Sequence, residues 1–464
     1  IKAQTIDKFV YNPNGSNPEH NALKHAEVIK IAARMIIENK VLQQIIAQRY
    51  PILLIDESQD TKKELIDAFF EIQRNFADIF TLGLLGDQKQ RIYADGKENI
   101  ESIIPAEWEK PIKRMNYRCA KRIIQLANTI GKAIDIHAEQ SPREDANDGF
   151  VRLFVIRQHD GINKDEVEQT VMKIMSEYTR DKKWMGVNAD VKILTLEHMM
   201  AARRLGFDSF FAPFSKVSKY QMTFLQGTVS EIEFFTKEVL PIAESMKGNG
   251  RVALEILKEN SPLLSKQNKE KPYELYLKCR DEAMKIAHII NKNGTIRVIV
   301  EEILKSQLLT VPDIIRQAYS FKPSDVEDSI EEELRAWIEV MDLPIDMINS
   351  YDNYVNHRSR FDTHQGVKGL EFERVMVIID DSEAKGFLFS YDKLFGIKGL
   401  SDTDKKNLSE GKETSIERTQ RLFYVTCTRA KSSLAVVMYA NNPEGVKTEA
   451  IKKRWFEEDE IIIM

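Results

Sequence analysis

Apolar positions in this chain fall into short blocks separated by stretches of helical period. The first clear block is Ile52-Leu53-Leu54-Ile55, and it stops abruptly at Asp56-Glu57. A short apolar run that ends in two carboxylates predicts a buried parallel strand whose C-terminal end opens on a site. Next, Leu65, Ile66, Phe69, Phe70 and Ile72 recur at helical spacing and predict a helix over 61–76. Phe80 to Leu85 is a second apolar block, ending at Gly86-Asp87. Strand, helix, strand with polar strand ends is the α/β pattern, and ligands sit at those ends. The alternation goes on with helices over 121–133 and 164–178 and strands over 150–156, 191–196, 374–379 and 434–438. Between about 216 and 354 the texture changes. Ile232, Phe235, Val239, Leu240 and Ile242 keep helical spacing while strand-like runs are scarce, which predicts a mostly helical insertion in an α/β domain. Ser265 to Lys271 is polar and Lys-rich and predicts a loop.

Composition narrows the class. A chain of 464 residues exceeds what one core supports, so several domains are expected. Apolar residues at 42% and charged residues at 30% fit a globular protein. No apolar stretch approaches the roughly 18 residues of a membrane helix, and the N-terminus has no signal-peptide core. Cys119, Cys279 and Cys427 are widely spaced and odd in number, which fits a reducing, cytoplasmic setting and no cysteine-rich metal site. The net charge of −5 does not point to nucleic acid, but a local basic channel matters more than the total.

Five motifs carry candidate chemistry. Asp56-Glu57-Ser58-Gln59-Asp60 offers one carboxylate for Mg²⁺, through water, and another to activate an attacking water. An acidic strand-to-helix loop with a capping Asp or Thr is the plainer alternative. Gly86-Asp87-Gln88-Lys89-Gln90-Arg91-Ile92-Tyr93 offers Gln90 to a terminal phosphate and the Tyr93 ring to a base. Asn116-Tyr117-Arg118 offers a guanidinium to a phosphate. Thr363-His364-Gln365-Gly366-Val367-Lys368-Gly369-Leu370-Glu371-Phe372 offers polar groups to phosphate or sugar and Glu371 to a nucleotide. Arg421 to Ala430 reads as an apolar helix with Arg421 and Arg429 among its polar positions. An Arg poised there could stabilise transition-state charge on a γ-phosphate.

In this order the five motifs resemble those of the UvrD/Rep-type superfamily 1 DNA helicases, over about residues 5–440. The resemblance implies an α/β fold of two RecA-like P-loop NTPase lobes with parallel sheets, plus a mostly helical insertion domain in the second lobe. It assigns 1–110 to the first lobe, with a reduced accessory region at about 12–45. Residues 111–215 and 355–464 form the second lobe around the insertion at 216–354. It implies ATP and Mg²⁺ as cofactors. Asp56 would hold the metal and Glu57 activate water; Gln90, Arg118 and the arginine finger Arg429 would act on the γ-phosphate; Gly369 and Glu371 would lie by the nucleotide. Thr5, Tyr93, Thr363, His364 and Gln365 would contact single-stranded DNA or a single/double-strand junction. The implied activity is 3′ to 5′ movement on DNA driven by ATP hydrolysis.

The sequence departs from that pattern in four places. No G-x-x-x-x-G-K-[S/T] phosphate loop occurs; Gly131-Lys132 and Gly411-Lys412 lack its other residues. Thr5-Ile6-Asp7-Lys8-Phe9 resembles the family's early DNA-contact segment, so the loop is expected in sequence preceding Ile1. Ala94-Asp95-Gly96 replaces the usual Trp-Arg-Gly, Gln365 stands where His is usual, and the stretch from Phe9 to Asp56 is short. The compact format is similar to short UvrD-like helicases of bacterial defence operons, which implies a partner nuclease or other defence protein. The competing function is a helicase-like DNA-binding scaffold or sensor without ATPase activity, serving a partner nuclease.

Overall fold

The computed structural model describes residues 9–11, 22–93, 96–97, 100–135, 139–186, 188–264, 272–322, 330–386 and 388–464. Among them, two compact units are distinct: one comprises 9–11, 22–200 and 360–464, the other 201–359. The chain is a mixed α/β protein with parallel sheets.

The smaller sheet of the first unit pairs two strands in parallel, with Ile52 opposite Thr81 and Ile55 opposite Leu84. Helices α1 (His25–Glu38) and α2 (Lys40–Arg49) precede β1 (Ile52–Ile55), and α3 (Lys63–Asn75) crosses over to β2 (Thr81–Leu84). Parallel pairing requires such a crossover. The apolar stripe of α3 buries Ile66, Phe70 and Ile72 together with Ala33 and Ile36 of α1. Each buried Ile or Phe side chain contributes about 1.5–3 kcal/mol. Phe70 also stacks on Trp108, with ring centroids 5.5 Å apart. Buried Gln43 ties the layer together. Its Nε2 donates to the Ile36 carbonyl at 2.8 Å, an acceptor the end of α1 leaves orphaned, and its Oε1 accepts from Asn75 Nδ2 at 2.9 Å.

The larger sheet is built from α4 (Lys121–Gly131), β3 (Phe150–Arg157), α5 (Lys164–Thr179), β4 (Lys192–Thr195), β5 (Phe361–Thr363), β6 (Phe372–Ile379), α6 (Ser415–Cys427), β7 (Ala430–Ala440) and β8 (Ile461–Ile463). The strand order is β8-β3-β7-β6-β4-β5, every neighbouring pair parallel. Strands β6 and β7 are buried on both faces, which is why 375–379 and 434–438 read as unbroken apolar runs. Alternate residues Val375, Val377 and Ile379 of β6 and Leu434, Val436 and Met438 of β7 share one core with α4 and α6. Helix α6 opens with a capping box, the Thr414 and Glu417 side chains each accepting from the other's backbone N–H. It closes at Cys427 rather than continuing to 430, so Arg429 sits on the turn between α6 and β7.

The second unit is helical, with no strand among its described residues. Its core is aromatic: Phe224 stacks on Tyr351 with centroids 4.7 Å apart, and Phe235 lies along buried Trp337 at 5.9 Å. The segment Phe234–Val239 is a π-helix. Pro241 follows it and lacks the N–H that an α-helical path would pair with the Lys237 carbonyl, which accounts for the wider turn.

Candidate functional site

The end of β1 is a pinned, strained turn. Leu85 N donates to the Ile55 carbonyl at 2.8 Å, and Ser58 N donates to the Leu85 carbonyl at 3.0 Å. Between them Glu57 adopts a left-handed backbone, φ 50° and ψ 39°, its N–H donating to Asp56 Oδ1 at 2.9 Å. That conformation costs a residue with a Cβ roughly 1–2 kcal/mol, and residues held in it cluster at functional sites. The chain then forms a 3₁₀ turn over Ser58–Asp60. Gln59 is buried there and joins this turn to the next motif: its Nε2 donates to Glu57 Oε2 at 2.6 Å and its Oε1 accepts from Asp87 N at 3.2 Å. Gly86 makes that approach possible, since a Cβ on it would lie 2.2 Å from Gln59 Oε1. Asp56 and Glu57 are both exposed at the strand end.

The second motif is held by its own carboxylate. Asp87 Oδ1 accepts from Lys89 N at 2.9 Å, and Asp87 Oδ2 accepts from Gln90 Nε2 at 3.0 Å. Tyr93 is 46% exposed and its backbone N–H donates to Asp60 Oδ1 at 3.3 Å. Its ring is therefore outside the core.

Gln90 also lines a pocket of about 620 Å³, together with Tyr117, Arg118, Glu371, Arg429 and Lys431. That volume falls in the usual range for a small-molecule site, and the cations among its lining suit a polyphosphate. Arg118 is positioned by Asn116, whose Oδ1 accepts from both Arg118 N and Cys119 N at 2.9 Å. This side-chain turn delivers the chain into α4. Arg118 Nε donates to Glu371 Oε2 at 2.8 Å, and Lys431 Nζ lies 3.7 Å from Glu371 Oε1. Gly369, at φ +81°, turns the chain just ahead of Glu371.

Arg429 is 1% exposed. Its Nε donates to the Val425 carbonyl at 2.9 Å, Nη1 to the Leu370 carbonyl at 3.1 Å and Nη2 to Thr428 Oγ1 at 3.0 Å. Burial, then the neighbouring Arg118 charge, lowers its pKa to about 10, so it stays protonated at neutral pH. Partial burial pushes the Glu57 carboxyl up. Lys368, Gln59 and the Arg429 charge more than offset this and leave it below the ordinary carboxylate value.

The Thr363–Phe372 segment divides in two. Thr363 and His364 are buried. Thr363 Oγ1 accepts from Gly366 N at 3.0 Å. The His364 ring is 3.0 Å from Tyr391 Oη and within 3.1–3.3 Å of the Ile378 and Leu194 carbonyls. Burial depresses its pKa to about 4, so the ring is neutral. The sequence reading counts both as nucleic-acid contacts; in the structure both side chains are buried and bonded to protein partners beneath the segment. Gln365 alone of the three is part exposed. Thr5 lies outside the described residues.

Several site residues carry no assignment from the sequence. Lys368 Nζ pairs with Glu57 Oε2 at 2.9 Å and with Asp60. Tyr117, 74% exposed, offers a ring at the pocket. Arg91 Nη2 donates to Glu413 Oε1 at 2.5 Å, and Arg421 pairs with the same carboxylate while its Nε donates to the Arg91 carbonyl at 2.8 Å. Lys368, Asp60 and Tyr117 stand inside quoted motifs, so a signal existed. Glu413 had none, being far from Arg91 in sequence. Among the described residues no His, Cys, Asp and Glu group suits a tightly held metal ion. An exposed carboxylate such as Asp56 instead fits an ion bound largely through water and phosphate.

Two family models match the chain. Residues 4–107 match the UvrD/REP helicase N-terminal domain and residues 212–441 the UvrD-like helicase C-terminal domain. Gabija protein GajB of Bacillus cereus (strain HuB5-5) is 23% identical over 461 residues, covering 89% of this chain and 62% of that protein. RecBCD enzyme subunit RecB of Buchnera aphidicola subsp. Schizaphis graminum (strain Sg) is 33% identical over 107 residues, 22% of this chain and 9% of RecB. The chain thus spans less than two thirds of either relative's length.

Proposed function

The chain belongs to the UvrD-like helicases, and from that premise we propose that it is an ATP-dependent DNA translocase and helicase working 3′ to 5′ on single-stranded DNA. The observation that carries this reading is the convergence of Gln90, Arg118, Glu371 and Arg429 on one nucleotide-sized pocket. These groups come from separate segments of the chain, and Gln90, Arg118 and Arg429 are donors of the kind that γ-phosphate chemistry calls for. In this reading 1–110 forms one RecA-like lobe and 111–215 with 355–464 the other, with 216–354 as the helical insertion.

Tyr117 stacks on the base, Glu371 and Gly369 lie beside the nucleotide, and Gln90 and Arg118 meet the γ-phosphate. Arg429 supplies positive charge where it develops in the transition state. Its backbone and hydroxyl partners fix the guanidinium in advance, so it pays no reorganisation during the reaction. Glu57 orients and deprotonates the attacking water; its carboxyl, held below its ordinary range, is charged at neutral pH and free to accept that water's hydrogen bond. Mg²⁺, held at Asp56 through water, would neutralise phosphate charge. Tyr93 and Gln365 contact the strand, and the buried Thr363 and His364 hold Gln365 in place from below.

The reading requires a phosphate-binding loop, and no G-x-x-x-x-G-K-[S/T] segment occurs in residues 1–464. The compact format shared with short UvrD-like helicases of defence operons supports a partner nuclease or other defence protein.

The test is streptavidin displacement from biotinylated oligonucleotides by the full-length protein. ATP-dependent displacement from 5′-labelled strands, and little from 3′-labelled ones, is expected. Tight single-strand binding with no ATP-dependent displacement from either end would favour the scaffold reading instead.

A further inference from the structure

We propose that Lys368, paired with Asp60, is the positioning residue through which strand contacts on both sides of the site reach Glu57. The inference rests on the motor reading above. An ordinary interior ion pair would explain the Lys368–Asp60 contact alone, but four further observations go beyond it.

First, the ammonium group is shared. Lys368 Nζ contacts Asp60 and also Glu57 Oε2, at 2.9 Å from the latter. Second, Asp60 is shared as well. One of its oxygens meets Lys368 while the other accepts the Tyr93 backbone N–H at 3.3 Å. Tyr93 is the exposed ring proposed to stack on a base. A carboxylate bound at both oxygens cannot follow one partner without disturbing the other.

Third, Lys368 is fastened to the other strand contact. Its N–H donates to the Gln365 carbonyl at 3.2 Å. The turn between them is tied and closely packed: Gly366 N donates to Thr363 Oγ1 at 3.0 Å, and a Cβ on Gly366 would lie 2.5 Å from Asp362 Oδ1. Displacement of Gln365 is therefore carried to Lys368 rather than absorbed. Fourth, the side chains of Lys368 and Asp60 are each 11% exposed, so their charges act in a medium that screens them less than water does. Tyr93 through Asp60, and Gln365 through Lys368, thus converge on the carboxylate proposed to activate water.

The experiment compares full-length wild type, Lys368→Met, Lys368→Arg, Asp60→Asn and the Asp60→Asn/Lys368→Met double variant. Turnover of ATP is measured with and without saturating oligo(dT), together with the KM for ATP and oligo(dT) affinity by anisotropy. The expected result is that Lys368→Met lowers the DNA stimulation ratio about tenfold or more, the scale of a typical coupling energy, while the KM for ATP holds. Lys368→Arg restores most of the ratio, and the double variant is no worse than the worse single. Should Lys368→Met not fold, Asp60→Asn carries the same comparison. Three results overturn the proposal: stimulation as strong as wild type in Lys368→Met, no rescue by Arg, or losses that multiply in the double variant. A wild type that hydrolyses no ATP removes the motor reading and this inference together. A stimulated wild type with equally stimulated variants removes this inference alone.

Discussion

The two sides of the site are built on opposite principles. On the side of β1 and β2, the groups proposed to act are exposed or half-buried and held by neighbouring side chains: Asp56 and Glu57 at a strand end, Gln90 on the Asp87 carboxylate, Tyr93 with its ring in solvent. On the side of the larger sheet, Thr363, His364 and Arg429 are buried, and their partners are largely main chain. The first arrangement leaves side chains free to meet a ligand. The second locks them before any ligand arrives. Substitutions on the first side should therefore cost function and spare the fold, whereas those on the second should cost both.

The largest expected effect is at Arg429. Arg429→Ala removes a preset charge from the pocket, and turnover should fall by about 10³ or more. It also removes the hydrogen bonds to the Val425 and Leu370 carbonyls, at about 0.5–1.5 kcal/mol each, and empties the space of a side chain that is 1% exposed. Thermal unfolding should show a clearly lowered midpoint. An unchanged midpoint would break the contrast.

Next is the pH dependence that His364 imposes. Its folded pKa of about 4 lies below the ordinary 6.5. The unfolded chain therefore takes up a proton that the folded chain refuses as pH falls through that window. Full stability is present above about pH 6.5 and is lost progressively toward pH 4, by up to about 3 kcal/mol from this group. Denaturant unfolding of wild type and His364→Gln across pH 7 to 4 should show a shallower decline in the variant. Parallel declines would show that His364 does not carry the effect.

The smallest effects should come from the exposed contacts. Tyr93→Ala should weaken oligo(dT) binding by about 1–3 kcal/mol, the worth of one stacked base, and Gln365→Ala by about 1 kcal/mol. Neither should move the unfolding midpoint. A stability loss in Tyr93→Ala comparable to that of Arg429→Ala would erase the distinction between the two sides.

The same distinction explains what the sequence could reveal. The strands at 375–379 and 434–438 were legible because parallel strands covered on both faces read as unbroken apolar runs; the apolar run at 52–55 also forms a strand, but Ile52 and Leu54 leave one of its faces exposed, so it is not the buried strand its pattern predicts. The polar residues at their ends were legible as candidates because α/β folds put ligands there. Burial of a polar residue was not legible. Thr363, His364 and Gln365 look equivalent in sequence, yet only Gln365 keeps exposed surface, because β5 continues through Thr363 and draws His364 into the core beside Tyr391. Arg429 reads as part of a helix, since nothing local marks the helix end at Cys427. The Arg91–Glu413–Arg421 and Lys368–Asp60 contacts have no local signature because each joins segments hundreds of residues apart. Local pattern carries no information about such pairs.

The central claim is that Glu57 activates water for ATP hydrolysis. It is tested most directly by ATP turnover of the full-length protein with oligo(dT), wild type against Glu57→Gln, at matched folded concentration. The account predicts that turnover falls by about 10²–10⁴ in Glu57→Gln, the usual worth of a general base, with the unfolding midpoint unchanged. Equal turnover in the two proteins would contradict it.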